Sequence, residues 1–117
     1  MTTILTKEEF QRPADGYLNA TKLATQCGKK INDYLRLIST KEFLEVLSTK
    51  QGIPVSGKNG LIQIRKGGKD IHLQGTWVHP RVAVNLGQWL SPEFACLVSD
   101  WVYVWLSFFA KTRTICS

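Results

Sequence analysis

Gln74-Gly75-Thr76-Trp77-Val78-His79-Pro80 decides how this chain is read. It follows the basic, glycine-rich run Arg65-Lys66-Gly67-Gly68-Lys69 and closes on a proline fit to open a helix. Together the two segments read as the tip and return strand of a β-hairpin that pushes positive charge and bare backbone outward. Glycine lets a backbone approach a ligand closely, and Arg65, Lys66 and Lys69 supply the charge that phosphates attract. That is the anatomy of a nucleic-acid-probing wing, although an ordinary surface hairpin also turns on a Gly-Gly pair.

Working toward the N-terminus, Gly57, Gly60 and the Asn59-Gly60 dipeptide mark turns, and strands are expected at 61–64 and 71–73. Ile62 and Ile64 alternate with Gln63 and Arg65, and Ile71 and Leu73 with His72 and Gln74, as a half-buried hairpin requires. Further upstream, Ser39 followed by Glu42 has the form of a capping box. It predicts a helix from Thr40 that buries Phe43, Leu44, Val46 and Leu47 and ends near Gly52. Ile31, Tyr34, Leu35 and Ile38 fall at i, i+3, i+4 and i+7 of another helix, leaving Asn32, Asp33 and Arg36 facing solvent. Asn19 sits where an N-cap belongs, ahead of Ala20, Leu23 and Ala24 in a short helix that stops near Cys27-Gly28. Two short helices around a tight glycine turn form a helix-turn-helix candidate. Before them, Ile4-Leu5 and Tyr17-Leu18 read as short strands about a turn at Pro13-Ala14-Asp15-Gly16.

Downstream, Pro80 starts a helix with Val82, Ala83, Leu86, Trp89 and Leu90 as its buried stripe, and Ser91-Pro92-Glu93 repeats the same start logic. The last helix, expected over 94–110, is apolar nearly all round. One small domain can bury only part of it, so it is expected to be either a central core helix or a helix that packs on a second copy or on a missing C-terminal region. The fold class that results is α+β and winged-helix-like: short N-terminal strands, a helix-turn-helix pair, a glycine-rich hairpin wing and two C-terminal helices.

At 117 residues the chain fits one domain, spanning 1–117, with a real core. Its net charge of +6 is concentrated in the middle, where eleven basic residues between Lys22 and Arg81 stand against four acidic ones. Such a surface suits nucleic acid or an anionic membrane as partner, and equally a merely soluble basic protein. Cys27, Cys96 and Cys116 are odd in number and match no zinc or paired-disulfide spacing, and the N-terminus lacks the apolar core of a signal peptide. An intracellular protein with reduced thiols is expected, in the cytoplasm or nucleoid of a bacterium or of a virus-infected cell, with no membrane span. His72 and His79 have no ligand-like spacing to any cysteine, no carboxylate cluster of nuclease type occurs, and Cys27 has no designated base. No metal, cofactor or catalytic residue is expected, and the chain is not read as an enzyme. Trp77 and His79 are read as a core anchor and a helix-start residue.

Gly16-Tyr17-Leu18-Asn19-Ala20-Thr21-Lys22-Leu23, Gly28-Lys29-Lys30, Tyr34-Leu35, Ser39-Thr40-Lys41-Glu42, Gly75-Thr76-Trp77-Val78-His79-Pro80 and Trp89-Leu90-Ser91-Pro92-Glu93-Phe94 follow one another in that order. In this series the chain resembles the KilA-N domain, over about residues 15–105, and that family looks related to the fungal APSES DNA-binding domain. The resemblance implies a module that meets duplex DNA with the second helix of the pair and the glycine-rich hairpin, here residues 29–36 and 58–74. Lys29, Lys30, Lys58, Arg65, Lys66 and Lys69 are then assigned to phosphates, with Gly67 and Gly68 giving the backbone its approach. Asn32, Arg36 and Gln74 are assigned to bases, because Arg pairs bidentately with guanine and Asn or Gln with adenine. Asp33 repels phosphate, so it is expected to face away or to pair with Lys29 or Arg36. Protein docking through the aromatic last helix, and RNA or single-strand binding, are the alternative functions.

Overall fold

Strand becomes helix at Asn19. β1 (Leu18–Asn19) runs directly into α1 (Ala20–Gln26), because Asn19 keeps extended dihedrals while its Oδ1 accepts the Lys22 N–H at 3.1 Å. The computed structural model describes residues 10–12, 14–66 and 74–114, with 108–114 by backbone alone. After α1 come α2 (Ile31–Leu35), α3 (Ile38–Gln51), β2 (Ile62–Arg65), β3 (Gly75–Val78), α4 (Pro80–Leu90) and α5 (Pro92–Thr114). Five helices and a three-stranded antiparallel sheet among the described residues make the fold α+β, an arrangement compatible with a winged helix.

The sheet order is β1-β3-β2, so the return strand of the hairpin is the central one. Ile62 pairs with Val78, Gln63 with Trp77, Ile64 with Thr76 and Arg65 with Gly75, while Leu18 and Asn19 pair with Val78 and Trp77 from the other side. Side chains alternate across a strand. Leu18, Ile62 and Val78 therefore share the face that enters the core with Leu23, Leu86 and Val98. Trp77 and Gln63 take the opposite face, where the N-terminal turn covers them. There the Arg12 guanidinium lies 4.8 Å from the Trp77 ring and 5.1 Å from that of Tyr17, and donates to Gln63 Oε1 and the Asp15 carboxylate. Trp77 is only 4% exposed, the core role expected of it.

Close approach demands glycine at several positions, among them Gly75 and Gly16. Gly75 holds φ +125, and a Cβ on it would meet the Asn19 side chain at 3.0 Å. Gly16 holds φ +75, and a Cβ there would sit 2.7 Å from the Trp105 ring of α5. The second contact ties the turn before β1 to the C-terminal helix.

Several local expectations are corrected. The second helix ends at Leu35, because Leu37 adopts φ −65, ψ 139 and breaks the run; Ile38 instead opens α3 and is 75% exposed. The Ser39 capping box is not used, since α3 begins before it with Leu37 as an N-cap that makes no side-chain bond. That start turns Thr40, Leu44 and Leu47 toward the core at i, i+4 and i+7 and leaves Val46 exposed. Buried Thr40 bonds the Tyr34 hydroxyl, which donates to Asn85 Oδ1 at 2.6 Å and is pushed up to about 12 by burial. Pairing of the hairpin falls on Gly75–Val78; the strand expected at 71–73 lies outside the described residues, as do the strand at Ile4-Leu5 and Pro13 of the turn. Ile64 shares the face of Ile62 yet is 62% exposed, because α1 lies over central β3 and leaves the outer end of edge strand β2 uncovered.

Truncating the Trp77 ring removes a buried side chain that both the sheet and Arg12 pack against. Trp77→Ala is expected to lower stability by about 3–5 kcal/mol in chemical denaturation. Unchanged unfolding accompanied by lost ligand binding would move the ring from the core to an interface.

Candidate nucleic-acid interface

The wing and the helix pair are joined by side chains from two separated stretches of sequence. Asn19 Nδ2 donates to the Gln74 carbonyl at 3.2 Å, and Thr21 Oγ1 accepts the Thr76 N–H at 3.0 Å. The start of α1 is thereby fixed to the start of β3, and the base of the hairpin cannot shift without breaking a buried cap. Gln74, expected to read bases, is half-buried with its carbonyl held in this bond.

Lys58, from the loop before β2, and Arg65, from β2 itself, line one groove. A groove of about 510 Å³ runs along the outer side of β2, with Ser56, Gly57 and Lys58 on one wall and Ile62, Gln63, Ile64 and Arg65 on the other. Ser56 makes a parallel bridge to Ile62, and the Ile62 N–H donates to Val55, which holds the two walls in register. Lys58, Arg65 and the following Lys66 are all exposed. Sequence reading assigned Lys58 and Arg65 separately and missed the Ser56-Gly57 wall; the turn letters Ser56-Gly57-Lys58-Asn59-Gly60 were the available signal. Gly67, Gly68 and Lys69 lie outside the described residues.

The helix pair offers less free charge than its letters suggest. Lys29 Nζ donates to the Trp89 carbonyl at 2.9 Å and lies 4.7 Å from the Trp89 ring centroid, at the C-terminal end of α4 where a cation is favoured. Arg36 pairs with Asp33, which settles how that acidic residue is accommodated. Lys30 and Asn32 are exposed at the start of α2. With five residues, α2 is short for a reader of the major groove.

Two tempting groups are structural. His79 Nδ1 accepts the Arg81 N–H at 3.1 Å as the N-cap of α4, and its ring meets Tyr17 edge-on at 5.6 Å. Burial, with Arg81 nearby, lowers its pKa from the ordinary 6.5, against a smaller opposing pull from Asp15. Burial pushes the Cys27 thiol up, outweighing Lys29, so it gains no thiolate character. Among the described residues no cluster of His, Cys, Asp or Glu is placed to hold a metal, and no helix is long and apolar enough to cross a membrane.

A small α+β domain with a cationic groove on its hairpin edge, locked to a short helix pair, is the class of module defined here. The KilA-N domain model matches residues 5–108, and the chain belongs to the KilA-N domain family. Among similar curated proteins is a KilA-N domain-containing protein of Acanthamoeba polyphaga mimivirus, 32% identical over 99 residues, which cover 80% of this chain and 27% of that protein. Another from the same virus is 39% identical over 75 residues, 64% of this chain and 19% of the relative. The chain thus spans about a quarter or less of these relatives. No solved structure matches it.

The His79 cap gives a pH test. Its folded pKa is depressed, so the unfolded chain takes up a proton first as pH falls. The stabilisation is complete above about 6.5 and is lost progressively below that value, as Nδ1 protonates and releases the Arg81 N–H. The melting temperature is expected to drop between about pH 7 and pH 5, and His79→Asn, which keeps a capping acceptor, is expected to flatten that part of the profile. An unaltered profile in the variant would remove His79 as its source.

Proposed function

We propose that this chain is a duplex-DNA-binding domain, without chemistry of its own, that serves as the DNA-contacting module of a transcriptional regulator or phage antirepressor-type protein. The observation that carries the reading is the groove beside β2, lined by exposed Lys58 and Arg65 from two segments, with exposed Lys66 next in sequence. Phosphates are held by Lys30, Lys58, Arg65, Lys66 and Lys69, and Asn32, Arg36 and Gln74 approach the bases. Because Lys29 is bound to Trp89 and Arg36 to Asp33, the wing supplies most of the affinity. Membership of the KilA-N family and the net charge of +6 support the same partner.

Binding to a random duplex is expected to weaken with salt along a log–log slope of about −3 to −6, as about four to six phosphates are neutralised. Lys66→Ala with Lys69→Ala should reduce affinity for all sequences alike and make the slope shallower, whereas Gln74→Ala should shift preference among sequences. Fluorescence anisotropy at several salt concentrations checks both. A slope near zero in the unaltered protein refutes DNA binding, and intact binding in the double variant refutes the wing assignment.

A second reading has its own observation. Tyr103, Val104 and Leu106 of α5 are exposed apolar residues on a helix whose Val98, Trp101 and Val102 are buried. The face suits a second copy of the chain or a further domain. Light scattering at high salt distinguishes this: a dimer mass that Tyr103→Glu with Leu106→Glu reduces to a monomer supports self-association, and a monomer throughout excludes it.

A further inference from the structure

Among the described apolar residues of the hairpin, Ile64 is the one the core leaves out. It points from the same face as buried Ile62 but is 62% exposed, on the wall of a groove whose other members include Lys58 and Arg65. Ile64 contributes little to the core and stands in the lining of the same groove as Lys58 and Arg65. What would cover it must be anionic at the groove's charged positions and apolar between them. A second copy of this edge is disfavoured, because pairing β2 with itself would bring Lys58 and Arg65 toward their own counterparts. The sugar-phosphate backbone of DNA has the required alternation, since each pair of phosphates is separated by a deoxyribose whose C2′ is a bare methylene.

We infer that the groove beside β2 seats one strand of the DNA backbone, with phosphates at Lys58 and Arg65 and a deoxyribose packed on Ile64, and that Ile64 makes the site select DNA over RNA. This rests on the DNA-binding reading above and specifies the contact. In RNA the C2′ methylene carries a hydroxyl. Placed against Ile64, that hydroxyl would lose water without gaining a hydrogen-bond partner, a penalty the DNA strand escapes. The contact differs in kind from those of the lysines. It releases no counterions, so its contribution is independent of salt.

The test compares duplex DNA with duplex RNA of the same sequence, each titrated at several salt concentrations with the unaltered protein, Ile64→Ala and Ile64→Val. Ile64→Ala is expected to weaken DNA binding about tenfold at every salt concentration, with the slope unchanged and RNA affinity altered by less than about twofold. Ile64→Val, which keeps the branched surface, should stay within about threefold of the unaltered protein. Lys58→Ala should instead change the slope for both duplexes. Melting of each variant establishes that it is folded, as the exposure of Ile64 leads one to expect.

If the unaltered protein binds no duplex, the DNA-binding reading itself fails. If it binds DNA but Ile64→Ala leaves affinity unchanged, or weakens DNA and RNA equally, the sugar contact is refuted while that reading stands. An alternating Glu/Val peptide, the probe for strand addition to the open β2 edge, is expected to leave bound DNA in place. Displacement of the DNA by that peptide would make the groove a protein-docking edge and overturn the proposal.

Discussion

The side chain of Asn19 holds the two halves of this domain in one geometry. Fully buried, it caps α1 through Oδ1 and reaches across to the Gln74 carbonyl through Nδ2. An amide removed from water must satisfy both its ends, and here one end belongs to the helix pair and the other to the wing. Thr21 adds a second tie to Thr76, and Gly75 is the residue that lets Asn19 come so close. The segments 19–21 and 74–76 are more than fifty residues apart in the chain, yet neither finishes its own hydrogen bonding without the other. The start of β3 is therefore held against the start of α1, although a long stretch of chain separates them.

Around that joint the charges divide into two populations. Lys29 and Arg12 are spent on the fold: one closes the end of α4 against Trp89, the other stacks between Tyr17 and Trp77. Lys58, Arg65 and Lys66 are left in water on the hairpin edge. Arg36 stands between the two groups, paired with Asp33 on the exposed surface of a five-residue helix. A surface pair of this kind contributes little to stability. Its effect is to lower the free positive charge of the helix, which shifts the weight of any polyanion contact to the wing.

Membership of the KilA-N family and the α+β class were legible from ordered blocks of letters, each of which has a physical job in the fold. Asn19 before an apolar helix, Pro80 at the first helical position and Ser91 ahead of Pro92 are local signals, and each produced the element it announced. Where local signals competed, the reading slipped. Ile38 fitted the stripe of the preceding helix, and Ser39-Glu42 fitted a capping box, but the break at Leu37 overrode both. Within the candidate site, the basic positions could be named from sequence, whereas the pairing of Arg36, the capture of Lys29 and the groove shared by Lys58 and Arg65 could not.

Sequence by itself determined the elements whose causes lie within a few residues: caps, turns, apolar stripes and the charge of the middle segment. Tertiary structure decided which side chains remain available. Exposure of Ile64 depends on how far α1 reaches across the sheet, and the fate of Lys29 on where Trp89 lies sixty residues later. Both are set by long-range packing. A pattern of period two or 3.6 says which residues share a face, but what covers that face is settled only when a distant segment arrives.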